Sequence, residues 1–221
     1  MILNRRHFVG AAAAMTASAS SSLLGRSTPL ASRTPSPLLP PQAPPAAVRS
    51  FTEPPLLAEA RAALATHAPY LGRRDKIGLV DFSLASRERR FYLVDLEGGK
   101  IDHMWLVAHG KGSDLDNTGY LQRFSNDPGS NASSRGSYVT ATPYYGKHGR
   151  SQRLIGLDPD NNAALDRAIV IHGASYVDPA MIGEHGRIGR SFGCFAVEDS
   201  EIDRVMGSLG EGRLLYAGKS A

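Results

Sequence analysis

The sequence contains a single cysteine among its 221 residues, so no disulfide can form within the chain. After residue 55, no segment approaches the run of ~20 apolar residues that a membrane-spanning helix requires. The His-Glu-x-x-His and Cys-x-x-Cys patterns of zinc sites are also missing, so we expect neither a metal nor another cofactor. There is no P-loop, which leaves nucleotide-binding functions without a sequence signal.

Excess positive charge is missing from most of the chain. The formal net charge is +4, but residues 1–55 contain five arginines and one acid, which leaves 20 basic and 20 acidic side chains in the remainder. Because phosphate binding requires clustered lysines and arginines, a net-neutral body argues against nucleic acid as a partner.

The N-terminal segment has the order of features found in export signals. Asn4–Val9 resembles a twin-arginine motif, and an Ala/Ser-rich apolar stretch follows it. We therefore expect a signal peptide over residues 1–31, cleaved after Ala19 or, as a weaker candidate, after Ala31. Such a leader predicts the twin-arginine machinery as a partner and a location in the periplasm or cell wall. The alternatives are a basic disordered tail and an uncleaved leader, which would be the only membrane attachment.

Proline is concentrated directly after this leader, with nine prolines between Thr28 and Pro55. Such a composition cannot form a hydrophobic core and behaves as a stiff, extended spacer. We interpret residues 32–55 as a linker and residues 56–221 as one catalytic domain, which is long enough for a single core.

The domain is dominated by strand patterns, interrupted by a few helical ones. Apolar and β-branched residues predict strands over 76–84, 90–96, 101–109, 137–145, 153–157 and 213–216. Helical spacing predicts helices over 56–64, 161–167 and 198–209, and Asp178 followed by Pro179 predicts a further helix start. The fold class is therefore α+β and strand-dominated, a mixed β-sandwich with short helices.

The residues with chemical potential lie in two short segments. Ile169, Val170 and Ile171 form a buried-strand pattern that ends in His172, and the only cysteine, Cys194, follows later in a glycine turn. A thiol becomes a nucleophile when a neighbouring imidazole takes its proton. We therefore interpret Cys194 as a nucleophile and His172 as its base.

Two glycines accompany this pair. Without a Cβ, Gly193 and Gly173 let backbone N–H groups approach a bound carbonyl, so we name them as candidates for an oxyanion hole. A lone cysteine followed by apolar residues is more often a buried structural side chain. The combination with His172 is what favours catalysis.

These same residues carry a family resemblance. His172-Gly173 followed by Ser191-Phe192-Gly193-Cys194 resembles the signature of the L,D-transpeptidase (YkuD-like) catalytic domain, and the resemblance extends over about residues 76–216. It is most similar to the divergent murein L,D-transpeptidase branch, which carries an aromatic residue in place of the second histidine. Phe192 stands at that position, and Ala196 stands where the family usually has Arg or Asn.

The resemblance implies an exported cysteine acyltransferase that acts on peptidoglycan stem peptides. A thioester on Cys194 would replace the bond to a terminal D-alanine and be resolved by a second stem as a 3→3 cross-link, and carbapenems would acylate the same thiol. Resolution by water would instead make the enzyme an L,D-carboxypeptidase. A wall-binding module that has lost its chemistry is a further alternative, and a papain-like peptidase ranks lower because its cysteine usually precedes its histidine.

Further side chains are candidates for binding substrate. Ser191 and Arg190 directly precede the Cys194 turn, and His109 repeats the His-Gly pairing at a predicted strand end. Arg187 and Arg190 can also recognise substrate carboxylates, since guanidinium groups bind them bidentately.

Overall fold

The computed structural model describes residues 53–220, which form one strand-rich body. Its helices are α1 (Leu57–Thr66), α2 (Pro179–His185) and α3 (Ile202–Leu209), and its strands are β1 (Lys76–Asp81), β2 (Phe91–Asp95), β3 (Lys100–Trp105), β4 (Gly136–Gly146), β5 (Gly149–Gly156), β6 (Val170–Gly173), β7 (Phe195–Val197) and β8 (Leu214–Gly218). Two short 3₁₀ segments cover Ala68–Tyr70 and Lys111–Ser113.

This architecture confirms the strand-dominated α+β prediction. The signal peptide expected over residues 1–31, and nearly all of the linker expected over 32–55, lie outside the described residues. Within residues 53–220, no helix is both long enough and apolar enough to cross a bilayer.

All eight strands join in one mixed sheet, in the order β3-β2-β1-β8-β4-β5-β6-β7. The pairs β1–β8 and β6–β7 are parallel, and the other pairs are antiparallel. The parallel pair β6–β7 therefore forms one end of the sheet, and it carries the His172 segment.

Both faces of the sheet are covered because the central strands alternate between two apolar clusters. In β1, Ile77 and Leu79 join a cluster with α1, whereas Val80 joins a second cluster with α3. Leu57 in α1 is 1% exposed and Leu209 in α3 is fully buried. Each such leucine stabilises the fold by about 1.5–3 kcal/mol relative to an exposed one.

The helix predictions are confirmed in three places and wrong in a fourth. The helices predicted near residues 56–64, 178–185 and 198–209 are α1, α2 and α3, although α3 begins only at Ile202. The helix expected over 161–167 is instead a series of turns. The reason is local: Asn161 accepts a hydrogen bond from the Asp158 N–H and donates one to the Ser137 carbonyl, so its side chain competes with helical backbone bonds.

An ion pair joins the start of β1 to the start of β8. Arg213 is almost fully buried and donates to both carboxylate oxygens of Asp75, at 2.8 and 2.6 Å. The hydrogen bonds from Arg213 lower the pKa of Asp75 from 3.8 to about 2. A carboxylate with a depressed folded-state pKa contributes stability above its unfolded pKa, and that contribution is lost as pH falls through the folded value.

We expect Asp75→Asn to lower the free energy of unfolding by about 1–2 kcal/mol at pH 7, a figure reduced for solvent screening because Asp75 is one-third exposed. The difference from the parent chain should shrink as pH falls from about 4 towards 2. Urea denaturation at several pH values measures it. Asp166→Asn, at an exposed position, is the control and should change nothing. An Asp75→Asn difference that is independent of pH would contradict this account.

Candidate active site

The pairing of β6 with β7 brings the two predicted catalytic residues together. The register places Ile171 opposite Phe195 and His172 opposite Ala196, so Cys194 lies one step before β7 at the level of Val170. Cys194 is thus two residues out of register with His172 on the neighbouring segment. Among the described residues no hydrogen bond joins their side chains: the imidazole bonds to the Gly173 carbonyl and the thiol to the Ala168 carbonyl.

The imidazole of His172 is held in one tautomer. Its Nδ1 lies 2.7 Å from the carbonyl oxygen of Gly173, and because a carbonyl only accepts, Nδ1 carries the proton. His172 is only 3% exposed, and burial lowers the pKa of its ring below the usual 6.5, partly opposed by the bond to Gly173. At neutral pH the ring is therefore uncharged, with Nε2 free to accept a proton.

The thiol of Cys194 is half-buried and protonated at neutral pH. Burial raises its pKa, whereas a hydrogen bond from the Val170 backbone and the charges of Lys147 and Arg167 lower it. Sγ lies 3.7 Å from the carbonyl oxygen of Ala168, which accepts from the S–H group. The resting pair is thus a neutral thiol beside a neutral imidazole.

Ser191 holds the turn that presents the thiol. Its Oγ donates to the Cys194 carbonyl at 2.7 Å and accepts from the Gly193 N–H at 3.1 Å. Gly193 has a φ of +114°, and a Cβ there would lie 2.7 Å from the Ala132 carbonyl oxygen, so only glycine fits. Ser191 is buried, and its hydroxyl is already engaged by these two backbone groups. It therefore positions the loop and is not the substrate contact we expected.

This turn also changes the expected oxyanion donors. The Gly193 N–H is already bound to Ser191, and Gly173 contributes its carbonyl to His172. Among the residues that the structure describes, the N–H of Cys194 has no hydrogen-bond acceptor. The Cys194 N–H can therefore donate to a bound carbonyl, and the bond to His172 does not involve the Gly173 N–H.

His109 does not reach the site, contrary to the prediction from its His-Gly pairing. It is fully buried, its Nδ1 accepts from Arg90 at 2.8 Å, and its Nε2 donates to Asp114 at 3.3 Å. Burial and the charge of Arg90 lower the pKa of His109 to about 4, so its ring is neutral. Its backbone carbonyl accepts from the Ser191 N–H at 2.9 Å. His109 therefore supports the turn from behind.

Arg190 remains available to a ligand. It donates one hydrogen bond to the Asp114 carbonyl and lines a cavity beside the turn together with Lys111 and Arg187. Phe192 is 65% exposed, and the Lys111 ammonium lies 4.0 Å from its ring centroid. The rim of the site is thus aromatic and cationic.

Four side chains near the pair were missed by the sequence analysis. The ring of His148, at the tip of the β4–β5 hairpin, stacks on His172 with centroids 4.4 Å apart. Lys147 at the same tip and Arg167 carry charges that lower the pKa of the Cys194 thiol, and a Cys194 thiolate helps to raise that of Tyr176. The Gly-Lys-His-Gly turn between two strand patterns was a signal for the hairpin, but its length alone does not show what the tip covers.

Residues 53–220 contain no group of three or more His, Cys, Asp or Glu side chains arranged to hold a metal ion. The site combines a thiol, the stacked imidazoles of His172 and His148, and backbone amides, which suit acyl transfer.

Comparison with known proteins identifies a family. The model of the L,D-transpeptidase catalytic domain matches residues 52–217, which is most of the chain. No curated protein sequence matched the chain.

Several solved structures are similar at low identity. An L,D-transpeptidase from Xylanimonas cellulosilytica shows 16% identity and a TM-score of 0.40, covering 72% of this chain and 69% of its own. An L,D-transpeptidase from Mycobacterium smegmatis shows 12% identity and a TM-score of 0.40, covering 65% and 58%. The helical cell shape determining protein Pgp2 from Campylobacter jejuni shows 13% identity and a TM-score of 0.44, covering 77% and 58%. The chain thus spans less than two thirds of the length of the last two.

The raised thiol pKa predicts how Cys194 reacts with iodoacetamide. As the only cysteine, it can be followed by intact mass in the full chain. We expect the alkylation rate to keep rising above pH 9, because the thiolate forms late. Lys147→Met removes a charge that favours the thiolate, so its profile should move to higher pH. Lys100→Met, on β3 at the other end of the sheet, is the matched control. A rate that levels off by pH 7 would show a preformed thiolate and contradict this description.

Proposed function

The chain belongs to the L,D-transpeptidase catalytic domain family and is an enzyme of that class, and we propose that it transfers the acyl group of a peptidoglycan stem peptide through a thioester on Cys194. The observation that supports the proposal is the β6–β7 register, which pairs His172 with Ala196, two residues after Cys194. The bond from His172 Nδ1 to the Gly173 carbonyl supports it, because it leaves Nε2 as the base.

The first half of the reaction forms the thioester. His172 Nε2 takes the Cys194 proton as Sγ attacks the carbonyl carbon at the L-centre of diaminopimelate. The negative charge on the carbonyl oxygen is stabilised by the Cys194 N–H, which has no acceptor among the described residues. The carbon–nitrogen bond to D-alanine then breaks, and His172 donates its proton to the departing amine.

The second half transfers the acyl group to an acceptor. His172, neutral again, takes a proton from the amine of a second stem as that nitrogen attacks the thioester. The carbon–sulfur bond breaks, Sγ recovers a proton from His172, and the product is a 3→3 cross-link. Proton transfer coupled to attack suits this site, because burial keeps both partners neutral at rest.

We also propose that the enzyme works outside the cytoplasm. Residues 1–31 would direct export through the twin-arginine machinery, residues 32–55 would space the domain from its point of attachment, and residues 56–221 would act on the wall. Two observations support the last boundary: Leu56 is 1% exposed and packs in the domain core, and the family match begins at residue 52.

Turnover of disaccharide-tetrapeptides by the full chain tests this proposal. We expect dimers that have lost D-alanine, identified by mass spectrometry. Cys194→Ala should abolish them, and His172→Ala should reduce the rate about 100-fold or more, the usual contribution of a general base. His103→Ala changes an exposed histidine on β3 and should leave the rate unchanged.

Two other product patterns have clear meanings. Tripeptide monomers without dimers would show that water resolves the thioester, which makes the enzyme an L,D-carboxypeptidase on the same site. Undiminished turnover by Cys194→Ala would contradict the proposal.

A further inference from the structure

A basic cavity lies beside the turn that carries Cys194. Its volume is about 250 Å³, and the side chains of Lys111, Arg187 and Arg190 line it together with Asn117 and His185. No acidic residue contributes to its wall. A cavity lined by side chains of one sign of charge attracts ions of the opposite sign, here anions.

The three cations have no acidic partner in the described part of the chain. No Asp or Glu oxygen of residues 53–220 lies within 4 Å of the charged nitrogens of Lys111, Arg187 or Arg190. Arg187 donates one hydrogen bond to the His185 carbonyl at 2.9 Å, and Arg190 donates one to the Asp114 carbonyl. A guanidinium has five N–H donors, so most of them remain for a ligand.

The cavity is preorganised by its own wall. The aliphatic part of Arg187 packs against Gly119, where a Cβ would lie 3.1 Å from the Arg187 Cβ. Gly119 has a φ of +87°, and its N–H donates to the buried carboxylate of Asp114 at 2.8 Å. Because the Asp114 carbonyl also accepts from Arg190, the loop around Asp114 and Gly119 contacts both arginines.

The cavity is joined directly to the catalytic turn. Arg190 immediately precedes Ser191, and the Lys111 N–H donates to the Ser191 carbonyl at 2.9 Å. The Lys111 ammonium lies over the ring of Phe192, two residues before Cys194. Lys111 and Arg190 therefore connect the cavity wall to the segment that carries Cys194.

We propose that this cavity binds a carboxylate of the donor stem peptide and so selects stems whose carboxyl groups are free over stems in which they are amidated. The identity of the ligand rests on the proposed function. Bidentate hydrogen bonds from Arg187 and Arg190 would hold the carboxylate oxygens, and Lys111 would add charge at the rim.

Calorimetric binding to the full-length Cys194→Ala chain tests the proposal without turnover. The probes are one tetrapeptide stem with free carboxyl groups and the same stem with those groups converted to carboxamides. We expect the free acid to bind about tenfold more tightly, as one or two charge-assisted hydrogen bonds produce. Adding Arg187→Gln or Lys111→Gln to this chain should lower its affinity for the free acid but not for the amide. Most of the difference in affinity should therefore disappear. Arg74→Gln makes the same charge change at an exposed position outside the cavity and should preserve it.

Several outcomes would overturn the proposal: equal affinity for acid and amide, equal loss in Arg74→Gln, or no measurable binding of either peptide. The fate of the proposed function is read separately, from thioester formation on the parent chain. If the chain prefers the free acid but forms no thioester, carboxylate binding in the cavity stands and acyl transfer through Cys194 is wrong. If it forms the thioester but shows no preference, acyl transfer stands and carboxylate binding in the cavity is wrong.

Discussion

The parallel pairing of β6 and β7 is the constraint on which the site depends. These strands are only four and three residues long, so their register is held by side chains on the buried face. Ile171, Phe195 and Val197 all belong to the main apolar cluster, and a slip of one residue would move these side chains out of it. The hydrophobic core thus sets the register of the segments that carry His172 and Cys194.

The outer edge of this pair is covered as well. The N–H of Ala108 donates to the Ala196 carbonyl at 2.8 Å, and Gly110 bridges to Ser191. Behind this segment, Arg90 is fully buried and donates to the carbonyls of Val107 and Leu84 as well as to His109. Burial lowers the pKa of Arg90 to about 9, which still leaves it charged at neutral pH. Burying a cation costs desolvation free energy, and the acceptors around Arg90 offset part of that cost. Arg90 therefore forms a rigid support behind the turn.

The sequence predicts a chemistry but not the contacts around it. We propose Cys194 and His172 for that chemistry because few residue types perform acyl transfer and because the strand pattern ends at His172. The roles of Ser191 and His109 could not be read in this way, since a buried histidine and an exposed one have the same local sequence. His148 was missed for a related reason: a hairpin turn is visible in sequence, but the strand across which it folds is not. The turns at 161–167 show the same limit, because the Asn161 side chain bonds to Ser137, which is distant in the chain.

The central claim is that Cys194 carries the acyl group, and trapping that intermediate tests it most directly. The full chain would be mixed with a tetrapeptide donor in the absence of acceptor, quenched in acid within seconds, digested and analysed by mass spectrometry. The account predicts a peptide containing Cys194 whose added mass equals the donor minus D-alanine, and which hydroxylamine removes as it removes other thioesters. An unmodified Cys194 peptide at every time point, in a sample that nevertheless releases D-alanine, would contradict it.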